Sequence, residues 1–444
     1  MTIHAACPSP VLRDIRGAGT MVAILVAVTI LLWASGRLPE YLTALIFFAA
    51  AMMFSVAPAS VIFSGFASAA FWLVLSGYVI GLAIAKTGLA ARAARVLAMR
   101  LGQSYPRLVF GTIALSYGLA FVMPSNMGRI ALLMPVILAL AEETGLVPGR
   151  PGRVGLALAT ALGTFQLSAS VLPANVPNLV MLGAVETSYG LHLSYFPYLL
   201  ANLPVLGLLK GAVLGACVLL MFRDRLTLRP AESPQIPITA AEKRLALLLV
   251  VTLGLWLSDS LHKIAPAWIG LAAACLCLLP KVGFVSGEEF GTKVNHRSAL
   301  YVAAILGLAA LVAQSGLGAR IGAGLLAYAP LDAQGRYSDV VTLAGLAGLL
   351  NFVVTANGVP ALFTPLAQAL ADGSGLPLSG VLMLQVVGFS TPLLPYQAAP
   401  IVVAMGLARV PLRAGIRLCL SMALLTYLLL LPLHYGWLHL LGWI

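Results

Sequence analysis

Apolar runs long enough to cross a bilayer take up most of this chain, and no other feature limits its possible folds so severely. A membrane-spanning helix needs about 20 mostly apolar residues. Such runs lie near 18–35, 39–58, 66–86, 154–172, 203–222, 244–259, 264–280, 298–315, 377–392 and 412–433. Hydrophobic residues make up 61% of the 444 and charged residues 9%, against about 25% charged in a soluble domain. So few charges cannot cover water-soluble domains of this size. A soluble enzyme, a nucleic-acid binder and a disordered chain are excluded. The expected class is an all-α polytopic protein of the inner membrane, with the lipid bilayer as a partner and no nucleic acid.

Two stretches depart from simple spans. Residues 106–142 and 337–371 are each a pair of apolar helical runs broken by small and polar residues, at Pro124-Ser125-Asn126-Met127-Gly128-Arg129 and at Thr355-Ala356-Asn357-Gly358-Val359-Pro360. They read as re-entrant helical hairpins. Two further breaks follow, at Leu172–Asn178 and Ser390–Pro400. Irregular backbone at membrane depth is tolerated only where protein buries it or where it lines a cavity.

The breaks come in matched pairs, the mark of an internal repeat. Ser125-Asn126-Met127-Gly128 falls on Thr355-Ala356-Asn357-Gly358 at an offset of 230, and Pro135 on Pro365. Leu172-Pro173 falls on Leu394-Pro395 at 222, and Trp33 on Trp256 at 223. The expected organisation is a first repeat over 1–222, a cytoplasmic linker over 223–243, and a second repeat over 244–444. Each repeat has five spans, one hairpin and one broken helix. Five is odd, so the second repeat is inverted relative to the first.

The charges test that topology. Lys+Arg number 26 against 14 Asp+Glu, a net +12. Sorted by loop, 19 of the basic residues fall on one side and 5 on the other, with Arg129 and Lys210 left in the membrane region. By the positive-inside rule the crowded side is cytoplasmic, which places both termini outside. Arg13 and Arg16 before a short apolar run resemble a signal peptide. The Trp33–Trp256 match favours a retained span instead. Residues 89–103 and 317–329 read as amphipathic stretches at the membrane surface or as simple loops.

Discontinuous helices in inverted repeats are a transporter signature, because free helix ends offer N–H groups to anions and carbonyls to cations. Ser125, Asn126, Asn175, Asn178, Thr355, Asn357, Ser390, Thr391 and Gln397 lie in or beside the breaks. Each alone is also a plausible helix cap. No Asp or Glu lies deep in any span, which counts against a proton pump or a divalent-metal carrier. The six histidines and five cysteines form no catalytic or metal cluster, so no enzyme is expected. Arg129, three residues past Asn126, is placed either to hold an anion bidentately or to cap carbonyls. Lys210 is expected to snorkel to the outer interface, and Lys86 to anchor a span on the cytoplasmic side.

The Ser125-Asn126 break followed by Ala131-Leu132-Leu133-Met134-Pro135, with Pro173-Ala174-Asn175-Val176-Pro177-Asn178 after it, resembles the divalent anion:sodium symporter family of the ion transporter superfamily. That family has two Ser-Asn-Thr hairpin tips, each followed by a Thr-Pro-Pro-Asn-like break. Arg129 also resembles an Arg of the plastid-type 2-oxoglutarate/malate branch. The resemblance implies a homodimer that carries a dicarboxylate-like anion, with sodium or protons, by an elevator-type movement. It implies substrate contacts at Asn126, Met127, Arg129, Asn178, Asn357, Thr391 and Gln397. It implies sodium contacts at Ser125, Asn126, Asn175, Thr355 and Asn357, and no other cofactor. The chain departs from the pattern at Met127, at the displaced Asn357, and at Pro395-Tyr396-Gln397-Ala398, which lacks Pro-Pro-Asn. Arsenite, citrate, sulfate and proton-coupled branches of the superfamily are the rival readings.

Overall fold

The computed structural model describes residues 11–35, 37–89, 92, 104–123, 125–227, 237–317, 320, 331 and 334–444. The expected surface stretches 89–103 and 317–329 lie almost wholly outside the described residues.

The described residues form an all-helical membrane fold. In the first half of the chain α1 (Val11–Ser35), α2 (Glu40–Met53) and α3 (Ala69–Thr87) precede a hairpin of α4 (Tyr105–Gly118) and α5 (Asn126–Glu143). The span that follows is broken into α6 (Pro151–Gln166) and α7 (Val176–Tyr189). α8 (Tyr195–Met221) completes the half. The second half runs through α9 (Ala240–Leu257), α10 (Pro266–Leu278), the short α11 (Gly287–Lys293) and α12 (His296–Gln314). Its hairpin holds α13 (Tyr337–Phe363) and α14 (Ala367–Ser374), its broken span α15 (Leu378–Phe389) and α16 (Ala399–Ala408), and α17 (Leu412–Leu440) ends the chain.

Three boundaries differ from expectation. The run 39–58 is helical only to Met53, because Ser55 takes a positive φ of 48° and turns the chain. The fifth span starts at Tyr195 rather than 203: the buried Tyr195 and Tyr198 supply the apolar face, and Asp259 accepts the Tyr195 N–H at 2.5 Å. The run 154–172 is only the first half of a span that continues to Tyr189 beyond its break.

The halves match beyond sequence. The Trp33 indole donates to the carbonyl of Glu40, the first residue of α2, at 3.1 Å. Trp256 donates to the carbonyl of Pro266, the first residue of α10, at 3.0 Å. α8 and α17 each contain a π-helical segment, Leu203–Leu209 and Thr426–Leu430. These segments begin 223 residues apart, the offset read from the tryptophans.

Packing sorts the helices into two groups. α2, α3, α9, α10 and α12 pack together, α3 against α10 and α2 against α12. The hairpins, broken spans, α8 and α17 form the other group, with α13 on α15, α4 and α5 on α6, and α8 on α17. α7 bridges them, touching α3, α12 and α13. From Gly155 to Gln166 every residue of α6 is buried. The free backbone groups of the break after it are therefore enclosed by protein, as membrane depth requires. At the ends that carry the basic loops Arg92 pairs with Glu242 at 2.7 Å, Arg150 with Asp224, and Lys86 with Glu289 at 2.6 Å.

Candidate transport site at the helix breaks

The first hairpin turns at Ser125, whose side chain accepts the Gly128 N–H at 3.1 Å and caps α5. Asn126 points inward and is buried, whereas Met127 is exposed. Across from them the α6–α7 break runs through an extended Val171 and Asn175. The Asn175 carboxamide oxygen accepts the Asn178 N–H at 3.0 Å, and its Nδ2 donates to Ser168 Oγ at 3.3 Å. Ser168 in turn donates to Asn126 Oδ1 at 3.1 Å. Asn178 ties the break together by donating to the carbonyls of Ala169 at 3.1 Å and Val171 at 2.9 Å. Hairpin and break are thus one hydrogen-bonded unit.

Arg129 sits at the centre of that unit, fully buried. Its guanidinium donates to the Met123 carbonyl at 2.5 Å, to Asn126 Oδ1, and to the carbonyls of Thr164 and Ala174, both at 3.2 Å. Of the two roles open from sequence, the geometry is that of carbonyl capping: the arginine closes the unsatisfied ends of α4 and α6.

The second break is built differently. Gln397, which stands where Asn175 stands in the first repeat, accepts the N–H groups of Leu393 at 2.7 Å and Leu394 at 3.0 Å. Lys210 does not snorkel to the interface. It is fully buried and donates to the Ser390 carbonyl at 3.1 Å, Ser390 Oγ at 3.1 Å and Thr391 Oγ1 at 2.8 Å. Interfacial snorkelling needs a path to headgroups, and the full enclosure of Lys210 with its bonds to Ser390 and Thr391 leaves none. The hairpin tip beside this break is marked by Thr355, with φ 57° and ψ 169° inside α13. A β-branched residue there stores about 1–3 kcal/mol of strain, a cost common at functional sites. Thr355 and Asn357 are half-buried.

A cavity of about 370 Å³ opens at the first tip, lined by Ser125, Met127 and Gly128 with Tyr78, Lys293 and Asn295. Its size suits a small metabolite. Of the residues expected at the site, Ser125 and Met127 line it; Arg129, Asn178, Thr391 and Gln397 do not. Lys293 and Asn295 were not expected from sequence, where they read as part of a basic loop. The Asn-x-x-Ser cap that Asn295 forms on α12, with Ser298 N donating to it at 3.1 Å, is the one signal that places them at a span end.

The family model for the sodium:sulfate symporter transmembrane region matches residues 1–444. The chain belongs to that family. Among relatives of this sodium:sulfate symporter family member, a protein named membrane protein from Cupriavidus necator is 22% identical over 401 residues, covering 86% of this chain and 77% of that one. The L-tartrate/succinate antiporter of Shigella flexneri is 26% identical over 365 residues, covering 76% and 72%. The solved YdaH transporter of Alcanivorax borkumensis shares the fold at a TM-score of 0.54 and 16% identity, with 86% of each chain covered. The family, the tartrate/succinate antiporter and YdaH are transporters rather than enzymes. Membership places the chain as a multi-pass anion transporter of the inner membrane.

Proposed function

We propose that this chain is a secondary carrier of small dicarboxylates of the succinate and tartrate class. The observation that carries the reading is the first hairpin tip, where the N-terminus of α5 and the cavity of Ser125, Met127, Lys293 and Asn295 meet. A helix N-terminus favours carboxylates, Lys293 shares its charge with Glu289 at 3.1 Å, and the exposed Met127 suits the apolar carbon chain between them. The names of the tartrate/succinate relatives support the same substrate class. In this reading the two-group packing is a fixed frame and a moving unit, the unit sliding as an elevator, and the carrier is a homodimer. The test is uptake of labelled succinate, tartrate and sulfate by liposomes holding the purified chain. Saturable uptake of the two dicarboxylates, blocked by excess unlabelled succinate, is expected. Flux that never saturates, or that favours sulfate, overturns the proposal.

A further inference from the structure

The cavity at the first hairpin tip has two unlike walls. One belongs to the hairpin and is neutral, with Met123, Ser125 and Met127. The other belongs to the group that holds α3 and α12, and there Lys293 is the one charged side chain among the described residues that line the cavity. Lys293 ends α11, a helix of 7 residues. His296 holds that helix to the start of α12, its ring edge-on to Phe290 and its Nε2 2.7 Å from the Phe290 carbonyl oxygen. Glu289 of α11 meets two lysines. Its Oε2 accepts from Lys86 Nζ at 2.6 Å and from the Ser286 N–H at 3.0 Å, and its Oε1 accepts from Lys293 Nζ at 3.1 Å. The carboxylate therefore stays held when Lys293 leaves it. Lys293 and Glu289 form an exposed i,i+4 pair, a kind of contact that is weak by itself. It uses one of the three N–H bonds of the ammonium. Two lysines against one carboxylate leave this mouth with a net positive charge.

The matching stretch of the first half, residues 56–68 ahead of α3, has no charged residue. Ser68 caps α3 as Asn295 caps α12. That stretch packs onto α12 instead of standing free: a Cβ on Gly65 would lie 2.0 Å from the Ala303 carbonyl oxygen. Resting on the carrier reading above, we propose that Lys293 is a dicarboxylate-receiving residue of the fixed frame on the face of the basic loops, that Glu289 limits its hold, and that the carrier binds its substrate more tightly on that face than on the other. An arriving carboxylate takes Lys293 from Glu289, while the hairpin tip takes the rest of the molecule. When the hairpin unit moves, Lys293 stays behind with the frame, so its bond to the anion breaks before the crossing. A contact made on arrival and lost before the crossing lowers the KM without raising the maximal rate.

The test measures transport of labelled succinate from both faces, in whole cells for the outer face and in inverted membrane vesicles for the face of the basic loops. The wild-type KM is expected to be lower in the inverted vesicles. Lys293→Met is expected to raise it there by about fivefold, with the maximal rate kept and the KM in whole cells unmoved. Lys293→Arg is expected to restore it. Glu289→Gln is expected to lower it by about threefold, because Lys293 is then unshared. Both shifts are expected to shrink in high salt, as exposed charge contacts do. The comparison variant is Lys281→Met, on the same basic loop but outside the cavity; it is expected to move neither KM. An equal effect of Lys281→Met, an equal rise at both faces, or no rise at all overturns the proposal. If the wild type carries no succinate, the carrier reading fails. Succinate binding to the purified chain, read as a rise in melting temperature, then decides the role of Lys293. Lys293→Met is expected to need about fivefold more succinate for half the rise; an equal requirement, or no rise in either protein, overturns it.

Discussion

At the scale of single residues, the break regions are governed by what each buried polar group must satisfy. Arg129 closes four acceptors at once, so its loss leaves buried carbonyls without donors. Arg129→Ala is expected to destabilise by about 3–5 kcal/mol, read as a fall in melting temperature and in monodisperse yield on size-exclusion chromatography. Recovery of a normal melting temperature would show that the carbonyls find other donors. Thr355 makes the opposite case. Its positive φ suits glycine, so Thr355→Gly is expected to raise stability by about 1 kcal/mol while lowering the uptake rate, because a tip without strain has less reason to hold one shape. An unchanged melting temperature would mean that the strain is not there to be released. The neutral side chains at the breaks were legible from the sequence as caps or ligands, and Ser125, Asn175 and Gln397 cap. Choosing between those roles needs a partner, and the partners lie elsewhere in the chain.

At the scale of elements, the spans, the hairpins and the broken helices were legible because length, apolarity and small-residue breaks are local properties. The π segments were not. In the first, Gly207 faces Tyr117, and a methyl there would run into the tyrosine hydroxyl. In the second half the pair is exchanged: Tyr427 of the π segment lies against Gly348 of α13 and donates to the Ala344 carbonyl at 3.0 Å. Gly207→Ala is expected to lower the melting temperature, and Tyr117→Phe in the same chain to recover part of it; additive losses would refute the contact. Lys210 follows the first π segment directly. Its position in the sequence, seven residues into an apolar run, suggested an outward path. The wide turn before it and Ser390, 180 residues away, decide otherwise. The ends with the basic loops have their own chemistry. Arg92 and the Thr239 N–H hold the Glu242 carboxyl down at about 2, and Lys86, the Ser286 N–H and Lys293 hold Glu289 at about 2, both from 4.5. Carboxyls depressed in this way stabilise above pH 4.5 and lose that contribution as the pH falls toward 2. Acid titration is expected to show a smaller loss in that window for Glu242→Gln, which keeps only the Glu289 contribution, than for the wild type.

At the scale of the whole molecule, the charge count is mainly a statement of orientation. The ion pairs of Arg92, Arg150 and Lys86 all fall on the side that the basic loops mark as cytoplasmic. A cysteine placed at Ile238 is expected to react with an impermeant thiol reagent only from the cytoplasm, and one at Leu191 only from outside, both positions being exposed. Labelling of both from the same side would overturn the inverted arrangement. What no reading along the chain could supply was the meeting of the two halves, because the lysine from one half that fills the break of the other is a fact of assembly.

The paired π segments also show how alike and how unlike the two halves are. Each adds one residue to an α-helix, and the two begin 223 positions apart, in register with the tryptophans. The buried cations do not follow that register. At the matching offsets Lys210 falls on Leu433 and Arg129 on Val359, so each charge stands in one half only. Two halves with the same backbone irregularity are therefore chemically unequal at their breaks.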